Sequence, residues 1–223
     1  MNNNCWLYDN CNHIDCDKDF CLKKFKLNYL YESALIELPQ RKHINLRLDS
    51  NQSDLEAFNI LRDIQNNIVN FINNGKNLYI HSSIAGNGKS SWALRLVQSY
   101  FNKIWSKSDL TCRALFINVP RFLLALKDNI TEKSSYVEHI KNNIFNCAVV
   151  IWDDIATKSV TVFESENLLS MIEYRISSGK SNIFTSNLNN NELHQFLGDR
   201  LASRIIGMST NIEFFGYDKR GIS

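Results

Sequence analysis

The chain has 223 residues, a mass of 25.8 kDa and a formal net charge of +2. Hydrophobic residues make up 44% and charged residues 22%, which are ordinary proportions for a globular protein of one or two units. Every apolar run is interrupted well before the roughly 20 residues that a membrane-spanning helix needs, and the Asn-rich N-terminus is not a signal segment. We therefore expect a soluble, cytoplasmic protein with no membrane partner, in which any contact with DNA is a local patch.

Four of the six cysteines lie near the N-terminus, namely Cys5, Cys11, Cys16 and Cys21. Disulfides are not expected in a reducing cytosol, whereas four thiolates can close a tetrahedral zinc site that stabilises a module too small for its own core. Because the spacings are wider than those of a zinc ribbon, an iron–sulfur cluster and unligated thiols remain alternatives, and His13 is interpreted as a bystander. We divide the chain into a Cys-rich module at residues 1–50 and a larger domain at residues 51–223.

The larger domain is predicted to open with a helix that begins at Ser53, because Ser53 and Glu56 have the spacing of a capping box. Gly75 is expected to end this helix. Its apolar residues recur at steps of three and four and form one face that should pack on a sheet. They are Leu55, Phe58, Leu61, Ile64, Ile68 and Phe71.

From Leu78 onward, short apolar runs alternate with helical stretches, a pattern that is typical of a parallel sheet with helices on its faces. The fold class is therefore α/β, with five strands. The predicted strands are 78–81, 114–118, 148–152, 182–185 and 211–215. The predicted helices lie near 89–102, 119–128, 135–145, 162–177 and 191–206.

The segment LYIHSSIAGNGKSSWALRL places a strand, a turn of small residues and a helix start in the order of a Walker A phosphate-binding loop. Glycines let successive backbone N–H groups face the phosphates, Lys89 adds a point charge, and the hydroxyl of Ser90 suits Mg²⁺. The motif's first glycine is replaced by Ser83, and a Gly/Ser-rich turn is the alternative interpretation. The predicted ATP-binding residues are Gly86, Asn87, Gly88, Lys89, Ser90 and Ser91.

Polar residues also follow the next two central strands. In CAVVIWDDIATK the buried strand ends at Asp153 and Asp154, which we interpret as a Mg²⁺-binding acid and an acid that polarises the attacking water. In NIFTSNL the strand ends beside Asn187, which is placed to bond the γ-phosphate or its water. The alternatives are a solvated strand end for the acids and an ordinary turn residue for the Asn.

In combination, the segments GNGKSSWA, VVIWDDIATKS, NIFTSNLNNNEL, GDRLASRII and FFGYDKRG resemble the DnaC- and DnaI-type helicase loaders, AAA+ ATPases of bacterial and phage replication. The resemblance covers roughly residues 53–223. It implies a P-loop AAA+ core, and because the chain ends soon after its last strand we expect no C-terminal lid domain. In this group the N-terminal region often binds zinc or the helicase, so residues 1–50 are expected to bind a partner.

The resemblance also implies roles for three arginines. Arg204 lies where the family has its arginine finger, which reaches the ATP site of a neighbouring subunit, and Arg200 is the competing candidate. Arg220 is similar to the late arginine that approaches the γ-phosphate. Ordinary surface arginines are the alternative for all three. Asp154 stands where many AAA+ enzymes have Glu, and its shorter side chain predicts slow hydrolysis.

Two basic segments are candidates for contact with DNA. Lys23, Lys24 and Lys26 surround Phe25, a mixture that suits DNA or an acidic partner as well as a plain solvated face. The insertion between the second and third strands is also basic, and in related initiators and loaders such helices face a central channel, so single-stranded DNA is expected near Lys127. Its basic residues are Arg121, Lys127, Lys133 and Lys141.

The function expected from these features is ATP-dependent loading of a replicative helicase hexamer onto single-stranded DNA by a homo-oligomer, with ATP, Mg²⁺ and Zn²⁺ as cofactors. A transposition-helper ATPase of the same fold is one alternative. A non-hydrolysing adaptor, in which ATP is a structural ligand, is another. A small-molecule P-loop kinase is disfavoured because no arginine-rich lid is evident in the sequence.

Overall fold

The computed structural model of the protein describes residues 21–43, 54–129, 133–156 and 160–218. Within these ranges the chain alternates helices and strands. The strands are β1 Asn77–His81, β2 Ala114–Asn118, β3 Val149–Asp153, β4 Ser181–Ser186 and β5 Ser209–Glu213. The helices are α1 Leu22–Ser33, α2 Leu38–His43, α3 Leu55–Asn66, α4 Ile68–Asn73, α5 Lys89–Ile104, α6 Val119–Asp128, α7 Ser135–Asn143, α8 Val162–Ser177, α9 Asn190–Leu197 and α10 Asp199–Gly207.

The five strands form one parallel sheet in the order β2-β3-β4-β1-β5, which confirms the predicted five-stranded α/β fold. Their carboxyl ends lie in register, because His81 pairs with both Ser186 and Glu213, and Asn118 pairs with Asp153. Parallel strands buried on both faces read as continuous apolar runs, and polar residues appear where each strand ends. The sheet therefore collects the predicted site residues at one edge.

Helices cover both faces of the sheet and bury two hydrophobic cores. Helices α1, α3, α4 and α5 pack on one face, and helices α6 to α10 pack on the other. Alternation along each strand divides its side chains between the cores, so that Leu78 and Ile80 face the first core and Tyr79 faces the second. None of the helices in the described ranges is long and apolar enough to cross a bilayer.

The first predicted helix of the larger domain is interrupted, and its predicted first residue cannot be compared. Ser53 lies outside the described residues, and the N-cap position of α3 is held by Asp54, whose carboxylate makes no cap bond. The helix also breaks at Asn67, where φ is −109° and ψ is 23°, and continues as α4. Gly75, with φ of 61°, follows α4 as the expected stop and approaches the backbone of Gly179 too closely for a side chain.

Two further predicted elements need correction. The helix predicted at 191–206 is two helices, α9 and α10, because Gly198 adopts φ of 82° and ψ of 155° between them. The last strand is Ser209–Glu213 rather than 211–215, since its pairing with β1 begins at Asn77 opposite Ser209. The first error comes from the backbone conformation of Gly198, and the second comes from strand pairing that the local pattern does not indicate.

The described part of residues 1–50 packs on the sheet domain. Helix α1 contacts α5 and β2, and the Phe116 amide donates to the Ala34 carbonyl at 2.8 Å. Leu30, Ala34 and Ile36 are buried in the same core as β1. These residues thus contribute to the stability of the α/β domain, while the division at residue 50 stays a prediction.

Candidate functional site

The loop that joins β1 to α5 has the backbone of an anion cradle. Gly86 has φ of 73° and Gly88 has φ of 102°, a left-handed region in which a side chain is strained. Gly88 is the N-cap of α5, a helix of 16 residues whose positive end faces the loop. Ser83 is not among the described residues with positive φ, so a residue with a Cβ is acceptable where the motif usually has glycine.

Lys89 is buried at the base of this loop, with 5% of its surface exposed. Its Nζ donates to the Ile84 carbonyl at 2.8 Å and to Asn87 Oδ1 at 3.1 Å. Asn87 Nδ2 in turn donates to Ser82 Oγ at 2.6 Å, which also accepts from the Ile84 amide at 3.1 Å. The loop is therefore braced by its own side chains, and it holds a cation where an anion would approach. Ser90 and Ser91 are half-buried in the first turn of α5.

The two acids lie at the end of β3, beside Thr185 of β4. Asp153 is buried, and its Oδ1 accepts a hydrogen bond from Thr185 Oγ1 at 2.8 Å. The same hydroxyl oxygen accepts from the Asp154 amide at 3.0 Å. Asp154 has φ of 54°, uncommon for a residue with a side chain, and is half-buried. Thr185 thus orients the carboxylate of Asp153 and holds the backbone of Asp154, a role that sequence reasoning does not assign to it.

Strand β4 connects the acids to the glycine-rich loop. The Ser82 amide, at the loop entrance, donates to the Ser186 carbonyl at 3.2 Å, and the Ile155 amide donates to the Thr185 carbonyl at 3.0 Å. Asn187 follows Ser186 directly and is half-buried. The loop, the acid pair and Asn187 therefore lie side by side at the carboxyl edge of the sheet, where α/β proteins bind ligands.

His81, the last residue of β1, was not predicted to belong to the site. It is 5% exposed and stacks on Tyr79 with ring centroids 4.9 Å apart. Its Nδ1 has no hydrogen-bond partner among the described residues. Burial lowers the pKa of His81, with Glu213 opposing this shift and Lys89 adding to it. The Lys89 cation and burial thus both disfavour protonation of the His81 imidazole.

The two candidate arginine fingers lie on the other side of the sheet from α5. Arg204 Nε donates to Glu173 Oε1 at 3.1 Å, and Arg200 Nη2 contacts the same carboxylate at 3.3 Å. The three side chains line a groove of about 840 Å³ between α8 and α10. The arginine side chains are 52% and 74% exposed, respectively, so both face outward. Arg220 lies outside the described residues.

The basic insertion, helices α6 and α7, has one lysine committed to an internal ion pair. Lys127 Nζ lies 2.9 Å from Glu164 Oε1, and Glu164 also caps α8 by accepting from the Thr161 amide at 2.7 Å. Burial would raise the pKa of Glu164, but the Thr161 and Lys127 hydrogen bonds outweigh it and lower this pKa to about 2. Lys127 therefore neutralises a buried carboxylate, while Lys133 and Lys141 are exposed.

The basic residues of α1 are also partly engaged within the chain. Lys26 Nζ donates to the Ser108 carbonyl at 2.8 Å, and Lys23 Nζ lies 5.6 Å from the ring centroid of Trp105. Both lysines thus cover the end of α5, and Lys24 and Phe25 remain exposed. This leaves a smaller basic surface than the sequence suggested.

The predicted metal site of the cysteine module is represented here by Cys21 alone. Cys21 is half-buried next to α1, and Cys5, Cys11 and Cys16 lie outside the described residues. Within the described ranges no three His, Cys, Asp or Glu side chains are grouped so as to hold a metal ion. Zinc binding by the four cysteines therefore stays a prediction.

No protein-family model matches the chain. Over 150 residues it is 23% identical to the replicative helicase loader DnaC of Escherichia coli strain K12, and the aligned region covers 67% of this chain. That region is 55% of DnaC, so the match spans about half the length of this relative.

Solved structures of replication proteins share the fold. The crystal structure of the DnaC helicase loader matches with a TM-score of 0.62 and 22% identity, covering 78% of this chain and 98% of that one. The crystal structure of DnaI matches with a TM-score of 0.56 and 20% identity, over 81% and 93% of the two chains. The initiator DnaA, bound to AMPPCP and single-stranded DNA, matches with a TM-score of 0.56 and 16% identity, over 74% and 47%. The chain therefore shares the fold of these replication proteins, and the resemblance to DnaC- and DnaI-type loaders is confirmed.

Proposed function

We propose that the protein is a cytoplasmic, ATP-dependent loader of a replicative helicase onto single-stranded DNA. The main support for this proposal is that the glycine-rich loop, buried Lys89 and the acids beside Thr185 lie together at one edge of the sheet. The similarity of the chain to DnaC agrees with it. A homo-oligomer would provide the surface on which helicase and DNA meet. Each part of this proposal can be tested separately.

The geometry of the loop fits the phosphates of ATP. The left-handed turns at Gly86 and Gly88 leave the backbone without side chains on the ligand side, and the N-terminus of α5 and Lys89 supply positive charge. Lys89 is already held at the loop by Ile84 and Asn87, so little ordering is needed to bind an anion. The phosphate-binding residues would be Gly86, Asn87, Gly88, Lys89, Ser90 and Ser91.

Asp153 and the hydroxyl of Ser90 would hold Mg²⁺ through their oxygens, and the ion would supply positive charge that offsets the charge of the phosphates. Thr185 engages one oxygen of Asp153 and leaves the other for the ion or its water. Asp154 would orient and polarise the attacking water, and Asn187 would bond the γ-phosphate or that water. Since the Asp154 side chain is short, we expect slow turnover.

Arg204 would complete the site of a neighbouring subunit. It lies on the face of the sheet opposite α5, half-exposed in a groove, which supports action on another chain rather than on its own loop. Arg200 is the alternative finger, and Arg220 would approach the γ-phosphate. Arginine fingers contribute about 10³ to 10⁵ in rate by stabilising charge on the transferred phosphoryl group.

The remaining surfaces would bind the partners. Residues 1–50, with zinc held by Cys5, Cys11, Cys16 and Cys21, would contact the helicase hexamer. The α6–α7 insertion, through exposed residues such as Lys133 and Lys141, would contact single-stranded DNA. The ion pair of Lys127 with Glu164 makes Lys127 a less suitable DNA ligand than its neighbours.

A loading assay tests this function. The full chain, ATP and the replicative helicase of the same genome are mixed with circular single-stranded DNA, and DNA-bound helicase is counted after gel filtration. We expect loading to require both the chain and ATP, and to be lost in Lys89→Ala. Lys107→Ala, which removes an exposed lysine beyond the end of α5, is the matched control. Equal loading without the chain or without ATP contradicts the proposal.

A non-hydrolysing adaptor is the second candidate function, because the side chain of Asp154 is short for a water-activating residue and its φ of 54° is unusual. In that case ATP would bind and order the oligomer without turnover. Steady-state hydrolysis, measured with and without single-stranded DNA, separates the two. Loading that proceeds with no measurable hydrolysis favours the adaptor.

A further inference from the structure

The segment after β5 is held by a buried carboxylate at the N-cap position of α3. Asp54, at the start of α3, is 1% exposed. Its Oδ1 accepts from the Phe215 amide at 2.7 Å and its Oδ2 from the Gly216 amide at 3.0 Å. A side chain at residue 216 would disturb this contact, because an added Cβ would lie 2.4 Å from Asp54 Oδ2. The bonds from both amides fix the path of the segment.

This path brings Asp218 to the glycine-rich loop. A Cβ added to Gly86 would lie 1.8 Å from one carboxylate oxygen of Asp218 and 2.8 Å from the other. The carboxylate therefore lies against Gly86 in the space that the missing side chain leaves free. The Asp218 carboxylate is thus an anion at a loop whose glycines, helix N-terminus and Lys89 are all suited to binding an anion.

We propose that Asp218 competes with the nucleotide phosphates for the glycine-rich loop, and that Asp54 positions it there by holding Phe215 and Gly216. The inference rests on the proposed ATP binding and concerns its regulation. The phosphate chain of ATP and the Asp218 carboxylate are both negatively charged, so they repel each other when both lie at the loop. Nucleotide binding would then displace the Asp218 carboxylate from Gly86, which links occupancy of the loop to the position of the chain's last described residues.

Titration calorimetry with ATP on the full chain tests this competition. Asp218→Asn keeps the shape of the side chain and removes its charge, so ATP should bind about fivefold more tightly, the effect of roughly one screened unit-charge contact. Asp63→Asn, which removes an exposed carboxylate on α3, should leave the affinity unchanged. Adenosine, which has no phosphate, should bind the wild-type chain and Asp218→Asn equally.

A second variant tests the role of Asp54. Gly216→Ala should displace the segment from Asp54 and raise the ATP affinity to the same extent as Asp218→Asn. In the Asp218→Asn background it should add nothing, since both changes remove one interaction. Additive gains would show that Asp54 and Asp218 act separately and would overturn the positioning role.

The outcomes distinguish this inference from the proposed function. If ATP binds the wild-type chain and Asp218→Asn equally, or binds the variant more weakly, the competition is wrong while ATP binding stands. Weaker binding would make Asp218 a ligand of the nucleotide. If no variant and no wild-type chain binds ATP, the proposed function itself fails.

Discussion

The Thr185 hydroxyl donates a hydrogen bond to Asp153 Oδ1 at 2.8 Å and thereby orients the acid that ends the neighbouring strand. Thr185→Val keeps the shape and removes both this bond and the acceptor for the Asp154 amide. Because loss of a bond that orients a metal ligand typically costs about 10- to 100-fold in metal affinity or activity, we expect ATP hydrolysis to fall by this amount and to require more Mg²⁺.

Thr185→Ser retains the hydroxyl and should keep most of the activity. Hydrolysis is measured as a function of Mg²⁺ concentration, with urea unfolding as a check on the fold. An unchanged Mg²⁺ requirement in Thr185→Val would show that Thr185 does not orient Asp153 for metal binding.

The exposed Arg204, held by Glu173 through Nε, is predicted to act on a neighbouring subunit. Arg204→Ala should keep its ATP affinity, since Lys89 and the loop still bind the phosphates, and should lose turnover by about 10³-fold or more. Mixing it with Asp154→Asn should restore some hydrolysis, because certain interfaces then combine an intact arginine with an intact acid.

Arg200 lies one helical turn before Arg204 and contacts the same Glu173 carboxylate, so Arg200→Ala is the matched variant. It should reduce turnover less than Arg204→Ala does. Hydrolysis is measured on mixtures at fixed total protein, with assembly followed by light scattering. Mixtures that assemble and remain inactive, or normal turnover by Arg204→Ala, would shift the role to Arg200.

The buried Glu164 predicts a pH dependence of stability. Its folded-state pKa is about 2, below the ordinary 4.5. The ionised carboxylate therefore contributes fully to the free energy of unfolding above about pH 4.5, and this contribution declines as the pH falls toward 2. Glu164→Gln should therefore destabilise the fold by about 1–2 kcal/mol at pH 7, with a smaller difference at pH 3.5. Urea unfolding at the two pH values measures this, and Glu166→Gln on the same helix is the exposed control. An equal difference at both values would rule out the ionic contribution.

The cysteine module predicts about one zinc ion per chain. Replacing Cys16 and Cys21 together by Ser should remove the metal, because two of the four thiolates are lost, whereas Cys112→Ser, far along the sequence, should retain it. Elemental analysis of the purified protein gives the ratio directly. Iron in place of zinc would indicate a cluster, and no metal would mean unligated thiols.

Strands β1 to β4 could be predicted from the sequence because each contains a short apolar run that ends in a polar residue, as at Asp153 and Ser186. Strand β5 is mostly polar, and its predicted bounds lie two residues too late. The loop before Lys89 could be predicted for a similar reason, since its conformation needs glycine at positions 86 and 88. Both signals are local, and each depends on only a few consecutive residues.

Long-range pairs could not be predicted in this way. Gly86 and Asp218, or Glu173 and Arg204, are brought together by the folded chain, and nothing in the local pattern of either residue indicates its partner. Asp54 is an example, since a residue within a capping-box pattern instead binds amides that lie 161 and 162 positions away. Such pairs depend on the packing of helices on both faces of the sheet.

The equilibrium affinity of Lys89→Ala for ATP tests nucleotide binding by this loop most directly. Lys89 is the buried side-chain cation of the loop, and removing a hydrogen-bonding charge typically costs about 1.5–3 kcal/mol, so binding should weaken at least tenfold. Titration calorimetry on Lys89→Ala, with Lys107→Ala as the control, measures this. We expect the affinity for ATP to fall at least tenfold in Lys89→Ala and to stay unchanged in Lys107→Ala. Unchanged ATP affinity in Lys89→Ala would contradict the assignment of this loop as the nucleotide site.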